Sequence, residues 1–187
     1  MLVLASQSPR RREILERANI PFTVRAANVL EQHRPRESPS DYVLRLSLSK
    51  AEAVAKGEHE VVLGADTVVV AGESILEKPV DTGDARRMLG LLSGRNHQVI
   101  TGIALRHANG TIRDVSVTQV RFAELDPEEI DAYVLSGEPM DKAGAYAIQG
   151  IASRFVESIE GCYFNVVGLP ISLVFRHLKQ LQKATAG

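Results

Sequence analysis

The chain has 187 residues, of which 44% are hydrophobic and 5% aromatic, with a formal net charge of −1 at pH 7 and a single cysteine, Cys162. That length fits one domain, residues 1–187, with enough chain to bury a core, while the near-zero charge and sparse aromatics exclude a strongly basic or base-stacking nucleic-acid binder. One cysteine excludes an internal disulfide, no run of about eighteen apolar residues could span a bilayer, and the apolar start is broken at once by serines and arginines. The expected setting is the cytoplasm, with neither a membrane nor a nucleic acid as partner.

In chain order, residues 2–5 read as a short buried strand. Ser8 then caps, and Pro9 begins, a helix to about Asn19 with Ile14, Leu15 and Ala18 inside. Ser38-Pro39 opens a second helix to about Lys56, whose inner stripe of Val43, Leu46 and Val54 also contains Lys50. Residues 61–70, VVLGADTVVV, are the most strand-like stretch. AGES follows as a turn, and ILEKPV as a partner strand ending at Pro79.

Residues 83–92 show helical spacing through Ala85, Met88 and Leu92, stopped by Gly94. Two long β segments, about 97–107 and 111–122, meet around Asn109-Gly110, a strong hairpin signal. Asp126 to Glu129 starts a helix that ends near Gly137. Residues 141–150 are too rich in glycine and alanine to assign, 154–167 suggest a hairpin, and a last amphipathic helix runs from Pro170 with Ile171, Val174, Leu178 and Leu181 inside. The mixture predicts an α/β or α+β domain around a mixed sheet.

Several residues ask for a chemical reason. Arg10, Arg11 and Arg12 crowd the positive end of the first helix, where cations are unfavourable by a few tenths of a kcal/mol each. An anion at the helix mouth, with Ser6 and Ser8 as hydroxyl donors, would reverse that sign. Otherwise the arginines splay into solvent or pair with Glu13 and Glu16. Asp66 lies inside a run of valines and needs a cation, a set of hydrogen bonds or a metal to be ionised there. Gly64, two residues earlier, permits a close backbone approach or a bulge. Lys50 either lifts its ammonium out of the apolar stripe or serves a site. Lys78 and Glu31 are uninformative by themselves. There is no phosphate-binding G-x-x-x-x-G-K-[ST] loop, no dinucleotide-binding glycine motif, and no metal-type spacing among the histidines.

Taken in order, LASQSPRRREIL, ESPSDYVLRLSLSKA, VLGADTVV, LEKP, LSGRNHQVITGIAL, DKAGAYAIQG and GCYFNVVGLP give the chain a close, end-to-end resemblance to the Maf family of nucleoside triphosphate pyrophosphatases. The resemblance implies cleavage of a nucleoside triphosphate between its α and β phosphates. It also implies an elongated mixed β-sheet flanked by helices, of the Maf/ITPase-like type, with two lobes and a central cleft, often as a homodimer and dependent on Mg²⁺ or Mn²⁺. By the same resemblance Ser6, Arg10 and Arg11 belong to the phosphate-binding loop, to which the helix start adds the Ser8 hydroxyl as a substrate-binding donor, and Lys50 and Lys78 are lysines of the cleft. The resemblance makes Asp66 the proton acceptor and Arg10, Thr67 and Gln149 the specificity positions; the mechanism expected from charge adds Asp66 and the loop residue Glu31 as holders of the metal. GADT and AYAIQG resemble the branch acting on dTTP and UTP rather than the one acting on 7-methyl-GTP. The chain departs from the family in having Glu31 as the only acid where a pair is usual, and Cys162 where serine is common. A non-catalytic nucleotide sensor, for instance in cell division, is the rival expectation; it needs the arginine loop but not Asp66 with both lysines.

Overall fold

The computed structural model describes residues 1–57 and 59–186. Its strands are β1 (Leu2–Leu4), β2 (Phe22–Val24), β3 (Val61–Ala71), β4 (Ser74–Leu76), β5 (Asn96–His107), β6 (Gly110–Phe122) and β7 (Val156–Glu160). Its helices are α1 (Pro9–Arg17), α2 (Pro39–Val54), α3 (Thr82–Leu92), α4 (Pro127–Leu135), α5 (Tyr163–Val167) and α6 (Ile171–Ala186). The strands form one mixed sheet in the order β2-β1-β3-β5-β6-β7, with β4 paired to β3. β1 is parallel to both β2 and β3, whereas β4 runs antiparallel to β3 and β7 antiparallel to β6. Among the described residues no helix is long and apolar enough to cross a membrane.

The chain divides into two compact units. The first comprises Met1–Asp66, Thr101–Ser116 and the chain from Gly168 onward. Part of its core is Val3, Ala5, Ala51, Val54, Val62 and Ala104, which pack α2 against strand residues. Ser38 caps α2 by accepting a hydrogen bond from the Asp41 amide at 3.1 Å, and Pro39 supplies the preset first turn. Two glycines let α2 lie close to the sheet. A Cβ on Gly64 would collide with the Ser47 carbonyl oxygen, and one on Gly102 would come within 2.6 Å of the Val43 carbonyl oxygen. Both obstacles are helix backbone, which cannot turn aside.

The second unit comprises Thr67–Ile100 and Val117–Val167. Its core gathers Val69, Leu76, Met88, Leu89, Leu92, Phe122, Tyr133, Tyr146 and Phe155. Asp81 caps α3, accepting from the Asp84 amide at 2.7 Å, and the Asp126 amide donates to Glu129 Oε2 at 3.1 Å at the start of α4.

The sequence expectations fail at five places. The expected hairpin over 154–167 is one strand, β7, followed by the short helix α5. Gly161 takes φ 128° after β7, and the Cys162 carbonyl accepts from the Asn165 and Val166 amides, so the chain coils instead of returning as a strand. The Asn165 amide group donates to the Val99 carbonyl at 2.8 Å and to Thr118 Oγ1 at 2.9 Å, fixing that turn to β5 and β6. β4 stops at Leu76, short of Pro79, because the Glu77 carbonyl accepts from the Gly144 amide at 3.1 Å. β2 was not foreseen: it is a three-residue edge strand with only Phe22 half-buried, unlike the fully buried β1. Finally, Ala18 lies beyond the end of α1 and is exposed, and Leu173 rather than Ile171 is buried with Val174 in α6.

His97 provides a pH-dependent element of the second unit. It is 2% exposed, its Nε2 lies 2.8 Å from Tyr146 Oη, and its ring meets Phe122 and Tyr146 edge-on. Burial pushes its pKa down to about 4. Between pH 6.5 and 4 the unfolded chain therefore takes up a proton that the folded one refuses. Stability is full above pH 6.5 and falls by about 3 kcal/mol as the pH drops to 4. Urea midpoints measured from pH 4 to 7 should show this fall in the wild type, and His97→Gln should lose that part of it. An unchanged slope in the variant would assign the acid sensitivity to other groups.

Candidate active site

Asp66 is an inward residue of β3, 7% exposed, and Lys50, on the fourth turn of α2, is 8% exposed. Lys50 Nζ donates to Asp66 Oδ1 at 2.6 Å and is also 2.6 Å from Glu31 Oε1. Lysine on an apolar stripe has thus kept its ammonium inside, where two carboxylates take the place of water. Burial pushes the Asp66 carboxyl above the ordinary carboxylate range, while the charges of Lys50 and then Arg11 pull it back.

Glu31 comes from residues 25–38, which contain a single turn and no regular element. Its reach toward Lys50 is set by α2 itself. Arg45, on the same helix, donates to the Gln32 carbonyl at 2.9 Å and to the two Glu37 carboxylate oxygens at 2.6 and 2.7 Å. The fork matches the carboxylate, and the Arg45 guanidinium holds Glu37 down at about 2. The residue after Glu31 is therefore tied to the helix that carries Lys50.

At the start of α1, Ser8 occupies the cap position, and its amide donates to Ser6 Oγ at 3.2 Å. Arg11, expected near an anion, is turned inward and buried. Its Nε donates to the Gly168 carbonyl at 2.8 Å and its Nη1 to Ser6 Oγ at 3.2 Å. Burial lowers its pKa, opposed by the negative charge of Asp66. Arg10 is half-buried and Arg12 exposed.

The first unit thus assembles Ser6, Arg11, Glu31, Lys50 and Asp66 in one electrostatic neighbourhood. Ser8 and Arg10 belong to the same unit, whereas Thr67, Lys78 and Gln149 belong to the second. Thr67 follows Asp66 on β3 and is half-buried, Lys78 is exposed two residues beyond β4, and Gln149 is exposed just before a 3₁₀ turn at Ile151–Phe155. Sequence reasoning missed three contributors: Gly102, Arg45 and the Gly168 carbonyl. A glycine inside the strand-like VITGIAL was a usable signal for the first; nothing local pointed to the other two.

Two carboxylates converging on one cationic nitrogen also fit a hard divalent ion, since the ammonium is itself a stand-in cation between their oxygens. Among the described residues no group of three or more His, Cys, Asp or Glu side chains is placed to hold a metal. Such an ion would complete its shell with water and phosphate oxygens, the usual habit of Mg²⁺.

A mixed α/β fold thus carries a buried Asp66–Lys50 pair, bridged to the more exposed Glu31, in the electrostatic neighbourhood of the arginine-bearing start of α1. The chain belongs to the Maf-like protein family, whose model matches residues 1–181. It is 52% identical over 180 residues to a dTTP/UTP pyrophosphatase of Koribacter versatilis, covering 96% of this chain and 93% of that one. It is 49% identical over 185 residues to a dTTP/UTP pyrophosphatase of Bacillus cytotoxicus, covering 98% and 97%. Among solved structures, the Staphylococcus aureus Ham1 protein aligns with 66% of this chain and 72% of its own at a TM-score of 0.44 and 16% identity, too loose a likeness to argue from.

Proposed function

We propose that this chain hydrolyses nucleoside triphosphates, dTTP and UTP in particular, to the nucleoside monophosphate and pyrophosphate. What carries the reading is the buried Asp66 carboxylate paired with Lys50, in a chain about half identical to proteins bearing that name along nearly its whole length.

Asp66 accepts the proton of the water that attacks the α-phosphorus, the bond from that phosphorus to the bridging oxygen breaks, and pyrophosphate leaves. Arg10, Lys50 and Lys78 neutralise charge on the phosphate oxygens as it shifts toward the leaving group. Ser6 and Ser8 offer hydroxyl donors at the start of α1, and Arg11 holds the Ser6 hydroxyl in place. Arg10, Thr67 and Gln149 discriminate among bases. Asp66 and Glu31 would hold Mg²⁺ or Mn²⁺, which when bound supplies further charge neutralisation on the phosphates.

Pyrophosphate release measured over the canonical nucleoside triphosphates tests the reading. Turnover should be fastest on dTTP and UTP, yield monophosphate and pyrophosphate in equal amounts, and stop in excess chelator. Binding of these nucleotides without any turnover would overturn it in favour of a nucleotide sensor.

A further inference from the structure

Lys50 Nζ stands at the same distance, 2.6 Å, from Asp66 Oδ1 and Glu31 Oε1. A structural ion pair needs one carboxylate. Here one ammonium bridges two, as a small cation would, and the carboxylates come from unlike places: a buried strand position and an irregular segment whose glutamate side chain is 44% exposed. The bridge is therefore reachable from solvent on the Glu31 side and closed on the Asp66 side. A divalent ion seated between Asp66 Oδ1 and Glu31 Oε1, at metal–oxygen distances of about 2.0–2.1 Å for Mg²⁺, takes the oxygen lone pairs now given to the ammonium. Two positive centres cannot share that position. The lysine stem has four rotatable carbons, so the ammonium can leave while the helix stays.

We propose that Lys50 is a resident stand-in for the divalent ion: its ammonium keeps Asp66 and Glu31 together in the free protein, is displaced when the ion binds, and is thereby released toward the phosphates. The proposal rests on the metal-assisted reading above, and deepens it by making metal entry and lysine delivery one event. It also gives Glu31 a task before any metal arrives, namely holding one side of the seat.

Two measurements without nucleotide test it. Electron paramagnetic resonance titration with Mn²⁺ should show Lys50→Met binding about tenfold more tightly than wild type, because a competitor that fills the seat nine-tenths of the time lowers apparent affinity by that factor. In wild-type protein labelled with ¹⁵N-lysine, the Lys50 Nζ resonance should move toward that of solvent-exposed lysines on Mg²⁺ saturation. Equal or weaker Mn²⁺ binding by Lys50→Met overturns the proposal. So does an unmoved Lys50 resonance in the Mg²⁺-saturated protein, even with tighter binding in the variant, since removing a positive charge would then explain the gain by repulsion alone. The resonance arm needs no variant and decides the matter if Lys50→Met fails to fold. If dTTP and UTP are not hydrolysed yet Mg²⁺ displaces Lys50, the catalytic reading fails and the exchange stands.

Discussion

Replacing Asp66 by asparagine should lower kcat on dTTP by roughly a hundred- to ten-thousand-fold, the range that a positioned general base supplies. The substitution keeps the shape and removes the ability to take a proton. KM should move far less, because arginine and lysine side chains are assigned to phosphate binding. The fold should survive, since Lys50 keeps a carboxylate partner in Glu31 at 2.6 Å and β3 no longer has to bury an anion. Circular dichroism and a melting curve alongside the kinetics check this. Wild-type turnover in a folded Asp66→Asn protein would remove Asp66 from the chemistry.

The second large effect is expected where no functional group is touched. Gly64→Ala places a methyl group against the Ser47 carbonyl oxygen, with the Ala51 nitrogen 2.9 Å away. Both are backbone atoms of α2, and Lys50 lies between them in sequence. The helix must move off β3, which breaks core packing and pulls Lys50 from Asp66. A stability loss of about 3 kcal/mol or more is expected, at the exceptional end of single substitutions, with a large fall in kcat/KM in whatever remains folded. Gly90→Ala is the control: Gly90 lies within α3, nothing stands within 4 Å of its added Cβ, and the change should be neutral or stabilising by up to about 1 kcal/mol. Urea denaturation of the two variants side by side gives the answer. Equal stabilities would mean that α2 does not depend on the bare glycine backbone.

That close approach also shows where the sequence was readable. An aspartate among valines and a glycine two residues before it already asked for a cation and a tight contact, and α2 supplies both through Lys50 and the Ser47 backbone. The openings of α1, α2 and α4 were legible because Ser8-Pro9, Ser38-Pro39 and Asp126-Pro127 combine a cap with a preset turn. The 154–167 region misled because Phe155, Val156, Ile159, Tyr163, Phe164 and Val166 have the composition of strands, whereas the fold there follows from Asn165 bonding to Val99 and Thr118 far along the chain. Lys50 was ambiguous for a similar reason. Helical spacing says which way the side chain points, but whether it stays buried depends on Asp66, sixteen residues away, and on Glu31 in a segment with no pattern. The inward turn of Arg11 depends on the Gly168 carbonyl, at the far end of the sequence.

The central claim is attack of water on the α-phosphorus, and hydrolysis of dTTP in ¹⁸O-labelled water tests it most directly. Mass spectrometry should find one ¹⁸O atom in the thymidine monophosphate and none in the pyrophosphate. Label in the pyrophosphate, or release of labelled orthophosphate, would place the attack on another phosphorus and contradict the account.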